Sequence, residues 1–220
     1  MFVNEYYYFD TTNSTGQPMP SVGCGAILNL AEGKFSDSDV NVKVGISDAE
    51  RVNGVEPEYK SNHDVRKSEV FFSSEQWIFD LIWPFMEKAN ESAGWNYDIT
   101  GCEAVRITKY DNSGYYNWHM DGYGCHLAKY DKPENQWLDG KVRKLSMTII
   151  LNDDFEGGQF QLCSLKPSLD GGCNSTECTP PVEGMGNVIV FPSFLMHRVT
   201  PVTSGVRYSL VAWFVGPPFK

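Results

Sequence analysis

From residue 98 onward the chain is written in short apolar runs closed by turn residues, and this texture restricts the fold more than any other feature. Runs at 103–110, 115–121, 145–151, 158–162, 187–191, 197–202 and 206–215 read as strands. Residues 111–114, 152–154, 157–158 and 204–205 are the turns between them. Many short strands with Gly-rich turns predict a mainly β fold, an antiparallel sandwich or jelly roll with helices packed outside. At 220 residues, 41% of them hydrophobic and 14% aromatic, one large domain can fill its core. The expected organisation is a single domain over 1–220, with helical and loop support in 1–97 and a jelly-roll core in 98–216. There is no internal repeat.

Ahead of that core, residues 1–20 give a strand at most. Ser21 is placed to cap a helix through 26–32 that ends at Gly33. Residues 34–65 are polar, with a weak strand near 40–44. A loop this long is a candidate lid or binding segment, and His63 within it reads as a solvated side chain. After a strand at 66–72, Ser73 or Ser74 caps a second helix, with Gln76 completing a capping box. Ile78, Leu81, Ile82, Phe85, Met86 and Ala89 recur there at helical spacing. Pro84 should kink this helix, and Trp77, Trp83 and Met86 should pack in the core.

Charge narrows the partners. A formal charge of −10 argues against a nucleic-acid backbone or an anionic membrane. No apolar run approaches the ~20 residues of a membrane span. The first residues have neither the basic start nor the apolar stretch of a secretory leader, which points to the cytoplasm. In a reducing compartment the six cysteines would be mostly thiols. With no C-x-x-C spacing, zinc is a poor fit; a local Cys173–Cys178 bridge stays open. Oligomeric state is not readable.

Within the strands, His119 and Asp121 sit two apart and so share a face. An imidazole and a carboxylate on one face can hold a divalent metal, and His197 is the best third ligand. Two His and one carboxylate leave half of an octahedron open, the arrangement used by non-haem Fe(II) oxygenases. The His-x-Asp pair alone carries little weight, and two core histidines are the bland alternative. That alternative would leave Asp121 unpaired beside them, which is costly if buried. Parity also puts Arg106, Thr108 and Tyr110 on one face, opposite Val105 and Ile107. Arg207, Ser209, Val211 and Trp213 share a face of the last strand. Arg207 follows His197 by ten residues, and a hairpin is expected to bring it beside the histidine. There a guanidinium could grip one carboxylate of a dicarboxylate whose other end meets the metal. A surface ion pair is the ordinary alternative.

Taken together the residues resemble the Fe(II)- and 2-oxoglutarate-dependent dioxygenases, most closely their prolyl 4-hydroxylase-like branch. The matching positions are Arg66 and Ser68; Tyr110, Gly114, Tyr116, His119 and Asp121; Arg143 through Ile150, Leu151, Asn152 and Asp153; Glu156, Gly157, Gly158, Gln159 and Phe160; Phe191, Pro192, Ser193, His197, Arg198 and Val199; and Gly205, Arg207, Tyr208 and Ser209. The resemblance implies a double-stranded β-helix with Fe(II) on His119, Asp121 and His197. It places the distal carboxylate of 2-oxoglutarate on Arg207, with Tyr110 beside the cosubstrate. Some prolyl hydroxylases carry a tyrosine where Ile150 stands, so Tyr110 or Ser146 would have to compensate. The implied reaction uses O₂, with ascorbate as an accessory reductant, releases succinate and CO₂, and hydroxylates a C–H bond.

The expected substrate is a prolyl residue in a peptide or protein, contacted by Trp213, Arg143 and Tyr116. A related nucleic-acid dealkylase pattern needs a second Arg six residues after Arg207, where this chain has Trp213. The same chemistry on a free amino acid or another side chain is an alternative, as is a non-catalytic cupin-like metal module. Residues 163–181 are longer than a simple hairpin connection and read as an insertion at the site rim.

Overall fold

A computed structural model describes residues 5–11, 16–35, 65–122, 129–167, 173–180, 182 and 184–220. The long polar segment with His63, its possible role as a lid, and His126 lie outside the described residues. The first elements are β1 (Tyr7–Phe9), helix α1 (Ser21–Phe35), β2 (Arg66–Lys67), β3 (Glu69–Ser73) and helix α2 (Gln76–Ser92). Then come β4 (Gly101–Cys102), β5 (Val105–Tyr110), β6 (Tyr115–His119), β7 (Val142–Ile150), β8 (Phe155–Gly157) and β9 (Phe160–Pro167). The last are β10 (Cys173–Cys178), β11 (Val188–Pro192), β12 (His197–Val199), β13 (Val202–Gly205) and β14 (Arg207–Gly216).

These strands form a jelly roll. The major sheet runs β1-β11-β7-β14-β5-β3, with β4 also on β14, and the minor sheet runs β10-β9-β12-β6-β2. A short β13-β8 pair closes one end. Three strands from before residue 98 therefore join the sheets.

The strand period of two sorts the side chains of the major sheet. Leu145, Met147 and Ile149 of β7 and Leu210, Ala212 and Phe214 of β14 point outward, against Ile27 of α1 and Ile78, Ile82 and Met86 of α2. Fully burying a side chain of this size contributes roughly 1.5–3 kcal/mol. Ser146, Thr148, Ile150, Arg207, Ser209 and Trp213 point the other way, toward the minor sheet. There Tyr110, Ile150 and Phe191 meet Tyr116, Phe160, Leu162 and Val199 in a second cluster. β7, β11 and β14 are buried on both faces, and the polar residues of β7 and β14, such as Ser146, Thr148, Arg207 and Ser209, are buried with them.

The helices depart from expectation at their ends. α1 runs through Gly33 to Phe35, and the Pro20 carbonyl accepts from the Gly23 and Cys24 N–H groups, so Ser21 is inside the helix. α2 starts after Glu75 without a side-chain cap, and the Ser73 hydroxyl accepts from the Glu75 N–H instead. Pro84 lies inside α2, which continues to Ser92. Met86 is buried as expected, and Trp83 meets Phe214 edge-on at 5.9 Å, but Trp77 is exposed.

Three points about connections follow from the strand pairing. In the segment after Gly158, β10 pairs with β9 from Cys173 opposite Pro167 to Cys178 opposite Leu162. Cys173 and Cys178 thus end one strand, about 16 Å apart at ~3.3 Å per residue. A disulfide needs Cα atoms within about 7 Å, so this strand does not permit the bridge. His197 and Arg207 are not partners in a hairpin either: β12 is in the minor sheet and β14 in the major one.

Candidate active site

The three residues singled out by spacing come together between the sheets. His119 ends β6, Asp121 follows it by two, and His197 opens β12 directly opposite His119 in the ladder. Their ligand atoms all lie within 4.8 Å of one another. The imidazole centroids are 4.1 Å apart, and Nε2 of His197 is 3.5 Å from Oδ2 of Asp121.

Each ring is braced by its own strand. Nδ1 of His119 donates to the Asn117 carbonyl at 2.8 Å, and Nδ1 of His197 donates to the Leu195 carbonyl at 2.9 Å. A proton fixed on each Nδ1 leaves each Nε2 lone pair available as a ligand. Tyr116, two residues before Trp118, stacks on the His119 ring at 3.4 Å and 17°. Phe191 and Phe160 wall His197 at 4.8 and 5.7 Å.

Asp121 is 5% exposed and well satisfied. Its Oδ2 accepts from the Ser146 hydroxyl at 2.6 Å, and its N–H donates to the Ser193 carbonyl at 3.0 Å. The two serine hydroxyls share a hydrogen bond of 2.9 Å. Burial by itself would raise the Asp121 pKa. The neighbouring His197 and His119, then Arg143 and the Ser146 hydroxyl, outweigh burial and hold the carboxyl well below its usual range. His119 moves down too, chiefly because burial and then His197 disfavour its cation, with Asp121 opposing. A neutral imidazole beside an ionised carboxylate is the protonation state a divalent metal needs.

Arg207 is fully buried and stands over the Tyr110 ring, its Cζ 5.4 Å from the centroid; the two residues are opposite each other in the ladder. Nη1 donates to Ser209 at 2.9 Å, while Nε and Nη2 have no acceptor among the described residues. The guanidinium lines a cavity of about 470 Å³ together with Ile150, Phe155, Gly158 and Val182. None of the three clustered ligands lines this cavity; Ile150 joins the two regions, four residues along the inner face of β7 from Ser146. Gly158 has φ +60°, and a Cβ there would lie 2.7 Å from Arg207 Cδ, so only glycine leaves room for the arginine.

The 2OG-Fe(II) oxygenase superfamily model (2OG-FeII_Oxy_3) matches residues 105–215, just over half of the chain. This chain belongs to the 2OG-Fe(II) oxygenase superfamily.

Other similarities agree with this superfamily. A PKHD-type hydroxylase of Synechococcus sp. (strain CC9902) is 38% identical over 97 residues, 42% of this chain and 36% of that protein. The chain thus spans well under half of that relative. A prolyl hydroxylase from Trichoplax adhaerens, solved with a hypoxia inducible factor peptide, superposes with a TM-score of 0.59 at 17% identity, covering 96% of this chain and 84% of that one. The viral collagen prolyl hydroxylase of Paramecium bursaria Chlorella virus-1, solved with 2OG, gives 0.56 at 16% identity and 97% of both chains. At these identities the two structures speak for the shared jelly roll.

The remaining sequence-predicted residues make the following contacts. Ser146 donates to Asp121 and shares a hydrogen bond with Ser193. Arg143 makes a two-pronged ion pair with Glu103, at 2.7 and 2.9 Å. Trp213 is buried and flanked by guanidinium groups from both neighbouring strands, Arg106 at 4.7 Å and Arg143 at 4.2 Å. Its ring is therefore not an open platform for a prolyl ring. Tyr116 is buried against His119 with Arg66 5.0 Å from its centroid. Sequence reasoning missed the partnership of Ser146 and Ser193, because a serine in an apolar strand carries no sign of which carboxylate it will meet.

Proposed function

We propose that this chain is an Fe(II)- and 2-oxoglutarate-dependent dioxygenase that hydroxylates a C–H bond, with a prolyl residue of a peptide or protein as substrate and succinate and CO₂ as co-products. The carrying observation is the pairing of a braced His119–Asp121–His197 cluster with a buried Arg207 whose Nε and Nη2 await an acceptor. The prolyl assignment rests on the kinship to hydroxylases reported above, and ascorbate as accessory reductant belongs to the same proposal.

The residues fit the implied groups. His119 and His197 would offer Nε2, and Asp121 a carboxylate oxygen, to Fe(II). Arg207 would take the distal carboxylate of 2-oxoglutarate, with Tyr110 alongside. Bound Fe(II) supplies the activation of O₂ that side chains alone cannot perform. The chain holds the ligands: main-chain carbonyls fix both imidazoles, and Ser146 fixes the carboxylate. It also keeps water out, with Phe160, Phe191 and Leu162 walling the site.

Anaerobic calorimetry on Mn(II)-loaded protein tests the cosubstrate. Wild type should bind 2-oxoglutarate, and Arg207→Gln should weaken it about 100-fold, since a charge-assisted pair is worth ~3 kcal/mol. His119→Ala should abolish Mn(II) uptake. Equal affinity in wild type and Arg207→Gln would overturn the assignment. Incubation with Fe(II), 2-oxoglutarate and proline-rich peptides should then give peptide-dependent succinate and a product heavier by one oxygen. Succinate formation no faster than in peptide-free controls would remove the prolyl assignment.

A further inference from the structure

We propose that Arg106 forms a second anion subsite beside the metal centre, which takes a carboxylate carried by the substrate close to the carbon being oxidised. The proposal rests on the oxygenase reading above and adds a substrate class to it: an acidic peptide. Its carboxylate could belong to an Asp or Glu side chain or to a chain terminus.

Arg106 is 6% exposed, on the inner face of β5. Its Nε is sealed from solvent, and among the described residues it has no acceptor and no carboxylate pairs with the guanidinium. Arg143, two strands away, shows the ordinary solution, an ion pair with Glu103 at 2.7 Å. Arg106 has only aromatic faces: Trp213 at 4.7 Å and Tyr116 at 5.8 Å from Cζ. Such contacts return about 0.5–2 kcal/mol, whereas taking a cation out of water costs several kcal/mol. A buried guanidinium left so under-compensated is explained by an anion that arrives with a ligand.

The position of Arg106 says which ligand. Tyr116, under its guanidinium, stacks on His119, and Trp213 is opposite Ser146, the residue that holds Asp121. Arg106 therefore borders the metal cluster. Arg207 is elsewhere: Arg207 faces Tyr110 and Arg106 faces Val211 in the β5–β14 ladder, four residues or about 13 Å apart along the sheet. An extended five-carbon diacid spans only about 5 Å between its end carbons, at ~1.5 Å per bond. With Arg207 assigned to the distal carboxylate of the cosubstrate, we assign Arg106 to a different anion. The Trp213 indole N–H, also buried without an acceptor, is a second donor in the same place. The chain carries a net charge of −10, so its exterior does not gather acidic molecules, and recognition has to come from such a short-range contact.

The test uses the chain loaded with Mn(II) and 2-oxoglutarate under anaerobic conditions. Fluorescent proline-centred peptides come in matched sets: Asp before or after the proline against Asn in the same place with an amidated end, and a free C-terminal carboxylate next to the proline against its amide. Fluorescence anisotropy should show at least one carboxylate peptide bound tenfold or more tighter than its neutral match, and the arm that shows it names the source. Arg106→Gln should erase the preference, and Arg106→Lys should retain part of it, while calorimetry gives both variants wild-type affinity for 2-oxoglutarate. Equal affinities within every pair in wild type, no binding of any peptide, or a preference that survives Arg106→Gln would overturn the subsite. So would loss of 2-oxoglutarate affinity in Arg106→Gln, which would make Arg106 part of the cosubstrate site. A wild-type chain that takes up no 2-oxoglutarate overturns the oxygenase reading first, and this subsite with it.

Discussion

At the scale of single residues, the site depends on groups that hold the ligands as much as on the ligands. Ser146 donates to the carboxylate of Asp121 and is itself joined to Ser193. Removing such a support typically costs roughly 10–100-fold in metal affinity. Ser146→Ala should therefore weaken Mn(II) binding by that factor in a competition titration while leaving 2-oxoglutarate affinity of the saturated protein nearly unchanged. A second expectation concerns acid. The Asp121 carboxyl and the His119 imidazole both sit below their ordinary ranges, held there by the neighbouring histidines for the first and by burial for the second. For both, the unfolded chain binds protons more readily than the native one, so native stability is present above those ranges and falls as pH falls. Urea midpoints of the metal-free protein should drop between pH 7.5 and pH 5 as the imidazole contribution is lost, and drop further below pH 4. Saturating Mn(II) should offset the loss at pH 6. A midpoint that rises on acidification would contradict the geometry described for these two groups.

At the scale of elements, the parity of β5 and β14 was readable because a strand has a period of two: the placement of Arg207 with Ser209 and Trp213 followed from counting, whereas β6 ends at His119 and Asp121 joins it from just past the strand. What counting could not supply was which strands become neighbours. The hairpin expected between His197 and Arg207 failed because β13 leaves the minor sheet to pair with β8, sending β14 into the opposite sheet. Likewise the apolar look of Trp213 suggested a substrate contact. Its actual surroundings are set by Arg106 and Arg143 on two strands distant in sequence. Capping at α1 and α2 was misjudged for a local reason: a proline carbonyl and a β-conformation Glu75 occupy the starts that serine was expected to take. The turn at Gly157 and Gly158 yields a prediction of its own. Gly158→Ala must displace Arg207 and adopt φ +60°, so 2-oxoglutarate binding should weaken at least tenfold while Mn(II) binding persists. Calorimetry on the Mn(II)-loaded variant measures both.

At the scale of the molecule, two sheets keep two separate interiors. One, between the major sheet and the helices, is built from aliphatic and aromatic side chains; the other, between the sheets, holds the polar chemistry. None of the described helices is long and apolar enough to cross a membrane. Among the strands that serve both interiors, β14 lies between β7 and β5 and puts Phe214 on one side and Arg207 on the other. Deleting residues 207–216 should remove the cooperative thermal transition altogether, seen as a sloping circular-dichroism melt where wild type gives a sigmoid. A sharp transition in the deletion would show that the remaining strands close without it. Because the middle of the major sheet is the last part of it to be synthesised, β7 and β5 emerge from the ribosome with a gap between them that nothing fills until translation reaches residues 207–216. Until then the nascent chain exposes unpaired edges, and a holdase chaperone has a defined window in which to shield them.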